Sequence, residues 1–120
     1  MTTFSKVLLS GSTDGRGIKV VATAETGTTI HATGTSAAII DEVWLYASNT
    51  DSADHYLTLE FGGLTAPDDD VKLLIPALKG LTLVVPGLIL TGTGAAAFTV
   101  TAFADTANKV SVFGYVNRVA

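Results

Sequence analysis

The chain has 120 residues, of which 48% are hydrophobic and only 15% are charged, and its net charge is −4. This length predicts a single domain spanning residues 1–120. The high apolar content excludes intrinsic disorder, which requires low hydrophobicity and high net charge. The seven basic residues are scattered singly, without the basic patch of DNA- and RNA-binding proteins, so we expect no nucleic-acid partner. The absence of cysteine excludes disulfides and thiolate metal sites.

Strand-forming patterns recur about every ten residues, and the 18 threonines favour strands because a branched Cβ suits a pleated surface. In chain order the predicted strands are Phe4–Leu9, Ile18–Ala24, Thr28–Thr33, Ile39–Ala47, Tyr56–Phe61, Val71–Ile75, Leu81–Val85, Leu88–Leu90, Phe98–Ala104 and Val110–Val119. Clusters of glycine, proline and aspartate separate them, and no segment favours a helix. Short strands at this spacing predict an all-β, antiparallel β-sandwich of the jelly-roll kind, with an immunoglobulin-like sandwich as the alternative.

Three of these strands carry further information. In Ile39–Ala47, alternation places Glu42, Trp44 and Tyr46 on one face of the sheet. The last strand, Val110–Val119, has large apolar groups on both faces, which predicts burial by the second sheet and by another subunit. The longest apolar tract, residues 81–90, is half the length of a membrane span and is interrupted, so we expect two buried strands joined at Pro86-Gly87 and no membrane partner.

Residues that could carry catalysis are few. The two histidines, His31 and His55, have no nucleophile elbow near them. His31 lies in a threonine-rich strand and is interpreted as solvent-facing or hydrogen-bonded, and His55 is interpreted as a residue at the edge of a loop. The glycine-rich loop at residues 11–17 lacks the lysine of a phosphate-binding loop and leads into a strand instead of a helix. Asp41 and Glu42 are neighbours on a strand and point to opposite faces, so they cannot act as a glycosidase pair. We therefore predict that the protein is not an enzyme and needs no cofactor.

The only acidic cluster consists of Asp68, Asp69 and Asp70. Calcium needs six to eight oxygen ligands, and three consecutive aspartates cannot all turn toward one ion. Although these residues are the candidates for a metal ligand, the preferred prediction is a solvated turn in which the aspartates accept hydrogen bonds from backbone amides. No metal is expected.

Six stretches, distributed over nearly the whole chain, resemble small all-β virion proteins of tailed bacteriophages. The stretches are Leu8–Val20, Gly27–His31, Asp41–Thr50, Leu57–Gly63, Leu83–Leu90 and Gly114–Arg118. In such phages, proteins of this size and character are often capsid decoration (cement) proteins. The resemblance implies a homotrimer on the outer surface of the capsid, made in the host cytoplasm, whose partner is the major capsid protein. It implies no particular binding residue.

Composition agrees with this expectation, because a weakly charged, threonine-rich surface leaves apolar area available for assembly. The candidate interface residues are an N-terminal arm over residues 1–4, the exposed-loop Arg16 and three aromatic anchors. They are Thr2, Thr3, Phe4, Arg16, Trp44, Tyr46 and Tyr115. Two alternatives remain open: a receptor- or glycan-binding module of a tail or fibre, and a tail or connector component.

Overall fold

A computed structural model describes residues 2–120 and contains nine strands. They are β1 (Phe4–Leu8), β2 (Ile18–Lys19), β3 (Thr28–Ala32), β4 (Ile40–Asn49), β5 (His55–Phe61), β6 (Asp70–Ile75), β7 (Leu81–Thr91), β8 (Thr99–Ala104) and β9 (Val110–Val119). The all-β prediction is confirmed. The part of the chain that is described holds no helix of the length and apolarity needed to span a membrane.

The strands form two antiparallel sheets. The first sheet has the order β1-β9-β4-β7, with β2 also paired to β9, and the second has the order β3-β8-β5-β6. The pairs are nested: β5 with β6, β4 with β7, β3 with β8, and β1 with β9. The chain is thus one long hairpin rolled into two sheets, which is the topology of a jelly roll. In an immunoglobulin sandwich the first strand pairs with the second instead of the last, so that alternative does not apply.

One hydrophobic core lies between the two sheets. Strand alternation directs Val43, Leu45 and Ala47 of β4 inward, and they meet Leu57 and Leu59 of β5. All five side chains are fully buried. Valine, isoleucine and leucine supply most of the rest, as expected for two facing sheets whose inner residues interdigitate.

The centre of the first sheet depends on a glycine. Gly114 of β9 lies opposite Leu45 of β4, and a Cβ built at this position would lie 2.0 Å from the carbonyl oxygen of Trp44. A side chain here would push β4 and β9 apart. The residue type at position 114 is therefore dictated by backbone proximity, which strand periodicity does not reveal.

The prediction of two buried strands at residues 81–90 is wrong. β7 is one continuous edge strand that passes through Pro86-Gly87, with register shifts against β4 at two places. Proline is tolerated there because an edge strand has a free side, and Gly87 adopts a φ of 78° that permits a bulge. Several leucines of the tract consequently face solvent instead of the core.

The outer side of the second sheet is partly covered. Thr58 and Glu60 point away from the core, as alternation predicts, yet Glu60 is only 1% exposed. The Gly27 amide and the Thr101 hydroxyl donate hydrogen bonds to Glu60 Oε1, at 2.9 and 2.7 Å. The segment that leads into β3 therefore lies over this side of the sheet. It is also why β2 stops at Lys19, five residues earlier than predicted.

Candidate interface on the outer face of the first sheet

The outer side of the first sheet is aromatic and apolar. Across β9 and β4, Tyr115 lies opposite Trp44 and Phe113 lies opposite Tyr46, so four aromatic rings share one side. Phe4 and Leu8 of β1 and Leu83 of β7 extend it to both edges of the sheet by the same alternation. We call this surface, from β1 across to β7, the aromatic face.

Its centre is a stacked pair with a polar clamp. The rings of Trp44 and Tyr115 are 6.4 Å apart at an interplanar angle of 12°. Glu42 Oε1 accepts hydrogen bonds from Trp44 Nε1 at 2.6 Å and from Asn117 Nδ2 at 3.1 Å. These two bonds, chiefly the one from Trp44, hold the pKa of Glu42 below its ordinary value. Lys6 Nζ lies 5.0 Å from the centre of the Tyr115 ring, within cation–π distance.

The margin of the aromatic face exposes large apolar side chains. Phe4 is 77% exposed and Ile89 is 60% exposed, and both lie at edges of the sheet. Three leucines of the same two edge strands are also about half exposed or more: Leu8, Leu81 and Leu83. The exposed leucines and isoleucine of β7 lie on an edge strand without any charged residue, and exposed apolar side chains in such a position are typical of a protein–protein interface.

Four of the predicted interface residues, Phe4, Trp44, Tyr46 and Tyr115, lie on the aromatic face. Arg16 lies at its edge, where Thr13, Arg16, Gly17, Ser111 and Phe113 line a surface hollow of about 500 Å³. The arginine is exposed and makes no ion pair with residues 2–120.

The predicted N-terminal arm lies in the sheet where the structure describes it. Phe4 begins β1, and Thr3 and Ala120 exchange two backbone hydrogen bonds of 2.7 and 2.9 Å. Thr2 is exposed. Met1 lies outside the described residues. From Thr3 onward the segment is therefore an edge strand of the sheet and not a free extension.

Sequence reasoning missed the contribution of β7 and of Phe113 to this face. Leu81, Leu83 and Ile89 were expected inside because the tract is apolar, but an edge strand of the first sheet exposes them. One signal was available: residues 81–91 contain no charged residue, although edge strands usually carry one to prevent pairing with other chains.

A buried polar network lies at one end of the sandwich. His31 and Asp41 are each 1% exposed, with His31 Nε2 at 2.8 Å from Asp41 Oδ2. The Ser10 amide donates a hydrogen bond to His31 Nδ1 at 3.1 Å. The ring proton is therefore on Nε2, which donates a hydrogen bond to Asp41. Arg118 completes the network with bonds of 2.7 and 3.0 Å from Nε and Nη2 to the two carboxylate oxygens.

This network is arranged to hold the strands together. Burial opposes ionisation of Asp41, but the hydrogen bonds from Arg118 and His31 outweigh it, so the pKa of Asp41 lies below its ordinary value. Ser10 meets the imidazole through its amide, while its hydroxyl accepts a hydrogen bond from the Ala32 amide at 2.7 Å. Nucleophilic catalysis by a Ser-His-Asp triad requires a hydrogen bond between the serine hydroxyl and the histidine. The Ser10 hydroxyl instead contacts the Ala32 amide.

The second histidine links loops at the other end. His55 Nε2 and Nδ1 each lie 2.7 Å from a carboxylate oxygen, of Asp51 and of Asp105 respectively. The hydrogen bond to Asp51, with that to Asp105, raises the pKa of His55. The bond from His55 lowers the pKa of Asp51, and the Tyr56 amide lowers that of Asp105. Both histidines are hydrogen-bonded, and of the two alternatives for His31 the solvent-facing one is wrong.

The acidic cluster forms a turn. Asp69 Oδ2 accepts a hydrogen bond from the Thr65 amide at 3.0 Å, and the Asp70 amide donates to the Pro67 carbonyl at 3.2 Å. Within residues 2–120, no group of three or more histidine or acidic side chains is arranged to hold a metal ion. The Asp69 carboxylate thus makes the backbone contact that the sequence predicts.

No family model matches the chain, and it has no significant match among curated proteins.

Proposed function

We propose that this chain is a structural virion protein: a decoration protein that binds the outside of a tailed-phage head and stabilises contacts between major capsid subunits. The observation that carries the proposal is the aromatic face, a largely apolar surface whose margins no other part of residues 2–120 covers. Burying such a surface against neighbouring copies stabilises an assembly, because association removes apolar area from water.

Three further features support this role. The sequence stretches that resemble phage virion proteins include much of β4 and β9, the two central strands of the aromatic face. The jelly roll recurs in viral capsid proteins, which is an analogy at the level of fold only. The fold is also pre-formed, so binding needs little reorganisation of its backbone.

The proposed assembly is a homotrimer whose aromatic faces are covered on association. Its charged groups do not oppose this, because Glu42 is already hydrogen-bonded and Lys6 lies over an aromatic ring. The trimer then presents its remaining surface to the major capsid protein. Many contacts of modest size, each about 1,000 Å² or more, would hold adjacent capsid subunits together.

The test has two parts. Native mass spectrometry of the purified protein should give a trimer, and the protein should co-sediment with heads of the encoding phage that lack it. The double variant Leu83→Ser/Ile89→Ser should dissociate the trimer, whereas the control Leu74→Ser/Leu78→Ser, on the second sheet and its following loop, should not. A stable monomer that does not co-sediment with these heads contradicts the proposal.

The same measurements separate the alternative functions. Rings of six or more copies would favour a tail or connector component. Specific binding on a glycan array, with the Trp44–Tyr115 stack as the sugar platform, would favour a receptor-binding module. Cryo-electron microscopy of the virion would then locate the protein on the head or on the tail.

A further inference from the structure

The two lateral sides of the sandwich differ in shape. On one side, called here the β1 side, Phe4 stands out from the aromatic face at its edge and is 77% exposed. On the opposite side, the β7 side, β7 and the turn between β5 and β6 enclose a hollow of about 180 Å³. Its lining residues are Phe61, Gly62, Asp69, Leu90 and Phe98. An apolar cavity of roughly 150 Å³ accepts benzene, so the hollow is large enough for a phenylalanine ring.

The two sides also differ in charge. Lys6, Arg16 and Lys19 lie on the β1 side, with Asp14 as the one acidic residue of the neighbouring loop. The turn between β5 and β6 on the β7 side carries Asp68–Asp70, whereas the two lysines of this side, Lys72 of β6 and Lys79 before β7, lie farther along the strands. None of these cations or aspartates forms a salt bridge with another residue in 2–120. An excess of positive charge on one side and a cluster of negative charge on the other are complementary between two copies of the chain.

Strand register places the Phe4 ring and the hollow at the same height, meaning the same level along the strand direction. Phe4 lies in a row with Val119, Ile40 and Thr91 across the first sheet, and Leu90 of the hollow is next to Thr91. Rotation about an axis parallel to the strands preserves height. A second copy related by such an axis therefore brings its Phe4 level with the hollow of the first.

We propose that the β1 edge of one copy's aromatic face packs against the β7 side of the next copy, with Phe4 inserted into the hollow beside Leu90. Lys6, two residues along β1, then lies near the Asp68–Asp70 turn. Because the two contacting sides are different, the contact is heterologous, and a three-fold rotation between copies closes it into the ring of the proposed homotrimer. This contact deepens the proposed function and rests on it, since it specifies how the homotrimer is joined.

Disulfide trapping tests the geometry directly, because the chain has no cysteine of its own. The double variant Lys6→Cys/Asp68→Cys leaves Phe4 and the residues that line the hollow intact. After mild oxidation it should give dimers and covalent trimers on a non-reducing gel, whereas each single variant should stay uncrosslinked. Dimers formed by either single variant would show a two-fold contact and would overturn the proposal.

Substitutions test the energetics. Phe4→Ala should raise the concentration at which the trimer dissociates by about tenfold or more, as expected for truncation of an interface anchor. Leu78→Ala removes an equally exposed apolar side chain elsewhere and should have no effect. Lys6→Glu and Asp68→Lys should each weaken the trimer, and their combination should restore it.

The outcomes distinguish this contact from the proposed function. A wild-type trimer that tolerates Phe4→Ala and is not trapped by the cysteine pair refutes the side-by-side contact and leaves the decoration role standing. A wild-type monomer refutes both. Circular dichroism and the unfolding midpoint of Phe4→Ala should match the wild type at concentrations where both are dissociated, since its side chain is exposed.

Discussion

Replacing Asp41 by asparagine should destabilise the fold strongly. The carboxylate is 1% exposed and accepts three hydrogen bonds, one from His31 and two from Arg118. Asparagine preserves the shape, removes the charge and leaves one acceptor oxygen instead of two. Breaking a buried ion pair costs about 3–5 kcal/mol. Because the Arg118 side chain is 30% exposed and can regain water, we expect about 3 kcal/mol.

Urea denaturation measures this effect. With an m-value of about 1.5 kcal/mol/M, the midpoint should fall by about 2 M while the m-value stays unchanged. Glu25→Gln is the matched control, because that carboxylate is exposed and makes no ion pair within residues 2–120, so its midpoint should not move. In a double-mutant cycle, Asp41→Asn and Arg118→Met should couple by about 1 kcal/mol or more.

A loss below about 1 kcal/mol, or additive effects in the cycle, would refute this account of the network. The pH dependence provides a second check. Because the pKa of Asp41 is lowered in the folded state, its contribution is present above the unfolded value of about 3.8 and disappears as the pH falls through the folded value. The difference in stability between wild type and Asp41→Asn should therefore vanish in strong acid.

Three further predictions follow from the structure. The pKa of His55 is raised, so its charge stabilises the fold fully below pH 6.5 and the effect is lost as the pH rises through the folded value; the stability advantage of wild type over His55→Gln should shrink along that same range. Gly114→Ala should cost about 3 kcal/mol or prevent folding, because the new Cβ would meet the carbonyl oxygen of Trp44, whereas Gly34→Ala should be tolerated in open space; thermal melts that rank the two alike would contradict this. Since Asp68–Asp70 form a turn, we expect EDTA to leave the melting temperature unchanged, and a drop on chelation would instead indicate a bound cation.

Much of the fold was predictable from residue spacing. The alternation in β4 was confirmed residue by residue, because successive strand residues point to opposite faces: Val43, Leu45 and Ala47 face the core, and the residues between them face outward. β7 was not predictable in the same way. Its apolar tract predicts a buried strand. Its place at the edge of the first sheet follows instead from pairing with β4, whose residues lie 33 to 51 positions earlier in the chain.

The candidate interface was predictable only in part. Trp44 and Tyr46 share a face because strand residues two apart always do. That Tyr115 stacks on Trp44, and that Phe4 continues the same surface, depends on the order in which four strands are paired. No local pattern encodes that order.

The sequence by itself determined an all-β chain with alternating strands, no cysteine and few charges, because each of these properties is a matter of composition or of neighbouring residues. Tertiary structure decided where the uncharged surface lies. Nested pairing brought β1, β9, β4 and β7 into one sheet, so that aromatic and aliphatic side chains from distant parts of the chain form a single exposed face. The same pairing set Phe4 and the hollow beside Leu90 at equal heights on opposite sides of the molecule.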